Sequence, residues 1–249
     1  MNYFHIFFIT FFLGSFYFTL SAKNMIKIGH RGACGYEPEN TLCSFLKAIE
    51  LSCDMIELDV HRCASDQLVV IHDERVDRTT DGTGFVTDKT LAQIKALDAG
   101  NGQQIPTLRQ VFGVVDRKVN VDIELKGSDT AGPVVNLIEH YVRKKGWTYD
   151  DFIVTSFDHC LLKEVFELNS HINVGVLLES MPIDVGLIAS NVGARLIVVD
   201  HRCLQQKLVD DAHDSGLAVF VYTVNDVCDI DRVTLLGIDG IISDYPDRL

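Results

Sequence analysis

The chain has 249 residues, 47% of them hydrophobic, which is enough apolar side chain for a real core in one large domain or two small ones and is not the composition of a disordered chain. Its 22 basic and 35 acidic residues leave a net charge of −13, which argues against a non-specific nucleic-acid surface and means that an anionic substrate needs a local cation. The seven cysteines (34, 43, 53, 63, 160, 203 and 228) have no C-x-x-C spacing, so they indicate neither a zinc ribbon nor a redox pair and read as reduced or buried thiols.

Residues 1–24 differ from everything after them. Phe4 to Leu20 is almost wholly apolar, and no charged side chain precedes Lys23, which is the pattern of a signal peptide or membrane anchor. Leu20-Ser21-Ala22 is a fair cleavage site, although a basic start is missing. An odd number of cysteines points instead to a reducing compartment, because an exported chain would leave one thiol unpaired. The apolar run is the more specific pattern, so export or anchoring through residues 1–24, with possible membrane association, is expected; a cytoplasmic location is the alternative. Translation from Met25, directly before the first strand, is a third reading, and a chain starting there is expected to fold.

From Met25 onward short apolar strands alternate with amphipathic helices, as in a parallel α/β protein. Strands are expected over Met25 to Gly29, Asp54 to Val60, Val119 to Leu125, Phe152 to Phe157, Asn173 to Leu178, Arg195 to Asp200, Ala218 to Val224 and Asp239 to Ser243. Helical spacing marks Thr41 to Leu51, Val134 to Lys145, Gln205 to Ser215 and Asp226 to Leu236. Eight such units in roughly 225 residues fit a TIM (β/α)8 barrel, whose size range starts near about 200 residues. A doubly wound open sheet is the alternative.

Chemistry in such a barrel sits at the carboxyl ends of the strands. The first strand ends in Gly29-His30-Arg31-Gly32, an acid/base residue and a cation beside glycines that let the backbone approach a ligand. Asn40, before Thr41, is expected to cap the first helix. On the second strand Glu57 and Asp59 share one face, and two like charges there call for a proton or a cation between them, hence a metal site or an acid/base pair. After the turn-prone Ser65 and Asp66, Gln67 to Ile71 reads as a second strand of a hairpin. A two-residue turn would place His72 opposite Asp59, where general acid/base chemistry needs an imidazole. Gly82-Thr83-Gly84 reads as a loop.

The third barrel strand puts Asn120, Asp122, Glu124 and Lys126 on one face, so that Glu124 could complete a three-carboxylate site and Lys126 could balance a phosphate. Phe157 and Tyr222, at later strand ends, either wall a pocket or belong to the core, and Asp244 is expected to organise the last turn. No G-x-S-x-G elbow, Walker loop, H-E-x-x-H or complete G-x-G-x-x-G occurs.

Taken together, His30-Arg31-Gly32, Pro38-Glu39-Asn40-Thr41, Glu57-x-Asp59, Val70-Ile71-His72-Asp73, Arg78-Thr79-Thr80, Ile105-Pro106-Thr107-Leu108, Glu124-x-Lys126 and Gly240-Ile241-Ile242-Ser243-Asp244-Tyr245-Pro246 resemble the glycerophosphodiester phosphodiesterases in order and spacing, from Ile26 to the C-terminus. The resemblance implies a TIM barrel, to which the hairpin strand Gln67 to Ile71 is an extension after the second strand, and one that hydrolyses glycerophosphodiesters, a small-molecule substrate, to glycerol 3-phosphate and an alcohol with a divalent cation, Ca²⁺ or Mg²⁺. It makes His30 and His72 the acid/base pair, Glu57, Asp59 and Glu124 the metal ligands, and Arg31 and Lys126 the phosphate contacts, with Phe157 and Tyr222 as further substrate-binding residues. Tyr222 and Ser243 stand where the family often has Trp and Thr, which leaves the alcohol pocket less defined than the chemistry. The segment after His72 is too short for the helical subdomain some members insert there. Two rivals are a related barrel acting on intact phospholipids or sphingolipids, which calls for an apolar rim at the mouth, and a non-catalytic phosphate-ester-binding barrel.

Overall fold

A computed structural model describes residues 25–249; the expected signal peptide or anchor at residues 1–24 lies outside the described residues. Eight parallel strands close on themselves: β1 (Ile26–Gly29), β2 (Met55–Arg62), β4 (Asn120–Leu125), β5 (Phe152–Ser156), β6 (Asn173–Leu178), β7 (Leu196–Asp200), β8 (Ala218–Tyr222) and β9 (Gly240–Ser243). They follow one another round the ring in chain order, and β1 pairs with both β2 and β9. The short β3 (Leu68–Val70) lies outside the ring, antiparallel to β2. Helices α1 (Leu42–Glu50), α3 (Leu108–Val115), α4 (Ala131–Lys145), α5 (His159–Leu168), α6 (Val185–Val192), α7 (Gln206–Asp214) and α8 (Val227–Thr234) return the chain between strands. This is the expected TIM barrel with its hairpin extension.

The two faces of each strand bury different things. Outward residues such as Ile56, Leu58, Val121, Ile123 and Val154 pack against the helices in the main core. Inward residues near the amino ends, among them Ile28, Met55, Ile153, Val198 and Phe220, fill the barrel with a second apolar cluster. The inward positions further along β2 and β4 are Glu57, Asp59, Asp122 and Glu124, so the interior changes from apolar plug to carboxylates toward the carboxyl ends.

Between β3 and α3 the chain makes a small cap with its own core of Val76, Val86, Ile94 and Ile105 around a five-residue helix, α2 (Leu91–Lys95). No larger helical subdomain fits in this span. Helix α4 starts three residues before the expected Val134, because Pro133 falls in its first turn, where no amide donor is needed.

Two local expectations are corrected. The β2–β3 ladder pairs Val60 with Val70 and His61 with Val69, one residue away from the two-residue-turn register. Asp66 adopts a left-handed backbone (φ 62°), and the Cys63 amide donates to the Gln67 carbonyl at 3.0 Å, so the loop holds three residues and Asp59 lies beside Ile71. His72 therefore follows the ladder and does not sit in it. Asn40 is also not the cap of α1: Thr41 is, its Oγ1 accepting the Ser44 amide, while Asn40 turns inward with a positive φ of 58°.

Candidate active site

The ends of β1, β2, β4, β5, β6 and β8 open into a cavity of about 410 Å³. His30, Arg31, Glu57, His72, Glu124, Lys126, Phe157 and Tyr222 all line it. Asp59, only 1% exposed, sits behind them. Every candidate from the sequence is thus brought to one place.

Glu57, Asp59 and Glu124 each bring an oxygen within 4.8 Å of the other two. Adjacent strands in register, with Asp59 beside Glu124 and Glu57 beside Asp122, make that convergence a consequence of parallel pairing. The group is buried, and its charge is only partly answered. The Arg31 backbone amide donates to Glu57 Oε2 at 2.8 Å, and Asn40 Nδ2 donates to Asp59 Oδ2 at 2.8 Å. Lys126 Nζ lies 2.6 Å from Glu124 Oε1 and 3.5 Å from Asp59 Oδ1, without the alignment of a hydrogen bond, so both of those oxygens are buried acceptors with no aligned donor.

The titration behaviour follows. Burial, then the neighbouring Asp59 and Glu124 charges, lifts the Glu57 carboxyl well above the ordinary range. Burial and Asp59 push Glu124 up to about 8 against the pull of Lys126. Burial acts upward on Asp59 too, but Arg31 and Lys126 outweigh it and hold this carboxylate ionised. Three converging carboxylates, two of whose oxygens have no aligned donor, fit a cation, and an all-oxygen donor set suits a hard one.

Each histidine has a carboxylate behind it. His30 Nδ1 is 2.6 Å from Asp244 Oδ1, and His72 Nδ1 is 2.6 Å from Asp73 Oδ1. Asp244 is held at about 2: burial would raise it, but His30, Cys34 and Asn225 draw it down. Asp73 is drawn below the ordinary range chiefly by hydrogen bonds from Arg78. Because both carboxylates accept, Nδ1 of each imidazole carries the proton and Nε2 is left for the cavity. Burial lowers the His72 pKa despite Asp59 and Asp73, which favours the neutral imidazole.

Arg31 has a left-handed backbone (φ 50°) ahead of Gly32 (φ 83°), where a Cβ would lie 2.5 Å from Ser44 atoms of α1. That turn aims the Arg31 amide at Glu57 while its guanidinium reaches Glu39 at 2.8 Å. Glu39 also receives Arg78, which grips Asp73 through two bonds, so one ion-pair chain runs from Arg31 to His72. Phe157 and Tyr222 pack edge to face at 6.1 Å, and Lys126 Nζ lies 5.6 Å over the Phe157 ring.

Sequence reasoning did not nominate Asn40, Glu39, Asp122, Glu179 or the pairing of Asp244 with His30. Asp122 lines the cavity, accepts Thr155 Oγ1 at 2.8 Å and is pushed up to about 7 by burial. The alternation along β4 already placed it on the Glu124 face. Nothing local in the sequence joins Asp244 to His30.

Residues 30–248 match the model of the glycerophosphoryl diester phosphodiesterase family. A glycerophosphodiester phosphodiesterase of Caldanaerobacter subterraneus is 37% identical over 232 residues, covering 89% of this chain and 95% of its own. One from Bacillus subtilis is 33% identical over 252 residues, covering 92% and 86%. Among solved structures, an Oleispira antarctica phosphodiesterase in complex with the product sn-glycerol-3-phosphate superposes with a TM-score of 0.82 at 27% identity, covering 89% of this chain and 93% of that one.

Proposed function

The chain belongs to the glycerophosphoryl diester phosphodiesterase family, and we propose from this that it hydrolyses glycerophosphodiesters to glycerol 3-phosphate and an alcohol by acid/base catalysis from His30 and His72. The observation that carries the reading is two imidazoles, each fixed through Nδ1 by a carboxylate at 2.6 Å, lining one cavity with a three-carboxylate cluster.

In this reading Glu57, Asp59 and Glu124 hold a divalent cation, Ca²⁺ or Mg²⁺, which when bound supplies positive charge to the phosphate oxygens as negative charge builds on them. Arg31 and Lys126 add two fixed cations at the cavity wall, where the low dielectric strengthens their effect on an anion. One histidine, neutral with its proton on Nδ1, takes the proton of the attacking hydroxyl at Nε2; the other, doubly protonated, gives its Nε2 proton to the leaving alcohol oxygen, and the carboxylate on each Nδ1 turns Nε2 to the substrate. Phe157 and Tyr222, packed edge to face in the cavity wall, shape the alcohol pocket. Residues 1–24 serve as signal peptide or anchor and 25–249 as the catalytic domain. Among the described residues no helix is long and apolar enough to cross a membrane. A mature N-terminus at Lys23, read by mass spectrometry of protein from the native cell, supports cleavage; a soluble cytoplasmic protein beginning at Met25 defeats export.

A second reading, hydrolysis of a lipid phosphodiester that still carries an acyl chain, is favoured by one observation. The loop after Glu179, itself at the cavity wall, carries Met181 and the fully exposed Ile183, and Phe157 is 41% exposed. Release of glycerol 3-phosphate from several deacylated head-group diesters, assayed beside intact lysophospholipid and phospholipid, separates the readings. Turnover of only the acylated substrates would sink the first, and turnover of none would leave a binding barrel.

A further inference from the structure

A second group of metal-ligating atoms stands behind His30, apart from the carboxylate cluster. Cys34 Sγ donates to Asp244 Oδ1 at 2.9 Å and lies 3.9 Å from His30 Nδ1, which is itself 2.6 Å from Asp244 Oδ1. One nitrogen, one sulfur and one carboxylate oxygen thus converge within 4.8 Å. They come from two segments that are tied together: the His30 amide donates to Ser243 O at 2.9 Å and the Gly35 amide to Asp244 O at 3.0 Å. The second oxygen of Asp244 is fixed by Asn225 Nδ2 at 2.7 Å, and Asn225 Oδ1 in turn receives Ser243 Oγ and the Asp244 amide. Such outer contacts are what orient a ligand carboxylate.

We propose that His30 Nδ1, Cys34 Sγ and Asp244 Oδ1 form a second cation site, selective for a borderline-soft divalent ion of the zinc type, whose occupancy switches the enzyme off. The donor set differs in kind from the all-oxygen cluster, since thiolate and imidazole prefer zinc over calcium or magnesium. Zinc bonds of about 2.0 Å to nitrogen and about 2.3 Å to sulfur in a tetrahedron require ligand separations near about 3.4 Å. To meet that, the contacts of Asp244 with His30 and Cys34 need to open, and that of Cys34 with His30 to close, by about 0.5 to 0.8 Å, within reach of side-chain rotation. Three protein ligands leave a fourth position for water, and all three residues are partly exposed, so the ion has access. On binding, the hydrogen bond from Cys34 to Asp244 breaks, the thiol proton leaves to solvent, and the thiolate takes its place on the metal.

The inhibitory half of the proposal rests on the reading of His30 as an acid/base group. A cation on Nδ1 displaces the proton held there, which passes through solvent to Nε2, so the imidazole can no longer accept a proton at Nε2, and Asp244 is drawn from the imidazole to the ion. Cys34 takes no part in the chemistry proposed above, so its replacement separates the two functions.

The test uses the full chain saturated with Ca²⁺. Co²⁺, the spectroscopic stand-in for zinc, is expected to give a near-ultraviolet thiolate-to-cobalt charge-transfer band in the wild type that is lost in Cys34→Ser, which keeps a hydroxyl for Asp244 and removes the soft ligand. Zinc added at fixed excess Ca²⁺ is expected to inhibit the wild type at a concentration at least about tenfold lower than it inhibits Cys34→Ser, the scale of losing one metal contact. Equal zinc sensitivity in the two proteins, as displacement of Ca²⁺ from the carboxylates would give, overturns the proposal. So does a cobalt band that survives in Cys34→Ser, which would belong to another thiol. A Cys34-dependent band without inhibition overturns the switch, and because the band needs no substrate, failure of the proposed hydrolysis is read separately.

Discussion

Oδ1 of Asp244 lies 2.6 Å from Nδ1 of His30 although 214 residues separate the two in sequence. The contact is a product of barrel closure: β9 pairs with β1 in register, Ser243 beside Gly29, so the residues that follow each strand meet at the rim. A carboxylate there fixes which imidazole nitrogen is free.

Asp244→Asn keeps the shape of that contact and removes its meaning, because an amide NH₂ turned toward His30 favours the other tautomer. The variant is expected to fold normally and to lose about 10²- to 10⁴-fold in kcat with KM little changed. Asp73→Asn is expected to act in the same direction on His72. Steady-state kinetics across pH check this: a structural role alone would leave the pH profile of the residual activity unmoved.

The histidines themselves are expected to be worth about 10²- to 10⁴-fold each in turnover when changed to alanine, the usual range for a positioned acid or base. Circular dichroism confirms the fold and single-turnover rates report the chemistry. A His72→Ala enzyme with near-normal turnover would remove that residue from the mechanism.

Chelation is expected to abolish activity, and Ca²⁺ or Mg²⁺ to restore it. Glu57→Gln, Asp59→Asn and Glu124→Gln should each weaken cation binding measured directly by calorimetry, since each removes one of three converging oxygens. Activity that persists after exhaustive chelation rules the site out.

The extent to which all this was readable from the chain differs by feature. The strands and the shared face of Glu57 and Asp59, like that of Asp122, Glu124 and Lys126, follow from side-chain alternation, which is a local rule that parallel pairing then preserves. The hairpin register did not follow, because it depends on Asp66 taking a left-handed φ and so adding one residue to the loop. His72 still reaches the cavity, but by leaving the ladder. Asn40 looked like a helix cap by residue type, whereas Thr41 serves that purpose and Asn40 holds both the amide and the carboxylate of Asp59. The pairing of His30 with Asp244, like the chain from Arg31 through Glu39 and Arg78 to Asp73, depends on which strands and loops become neighbours, and no local pattern encodes that.

Asp122 gives the last prediction, on stability. Its carboxyl is 1% exposed, faces the barrel interior below Glu124, and accepts Thr155 Oγ1 at 2.8 Å. Burial raises its pKa from the ordinary 3.8 to about 7, against the hydrogen bond from Thr155, which works the other way. A carboxyl raised on folding binds more protons in the folded than in the unfolded chain between those two values, so its contribution is full below pH 3.8 and is lost as the pH rises toward 7. Asp122→Asn keeps an oxygen for Thr155 and never ionises, so the variant escapes that loss. Glu57 and Glu124, which are also raised, titrate in both proteins and largely cancel in the comparison. In chelator, the stability of the variant relative to the wild type is therefore expected to improve by on the order of 2 kcal/mol between pH 5 and pH 8.5. Urea unfolding at the two pH values measures it, and a difference between the proteins that is the same at both would show that Asp122 is not held protonated. A polar group kept at such a cost beside the carboxylate cluster argues for a use, and the stabilised variant is expected to hydrolyse substrate more slowly than the wild type.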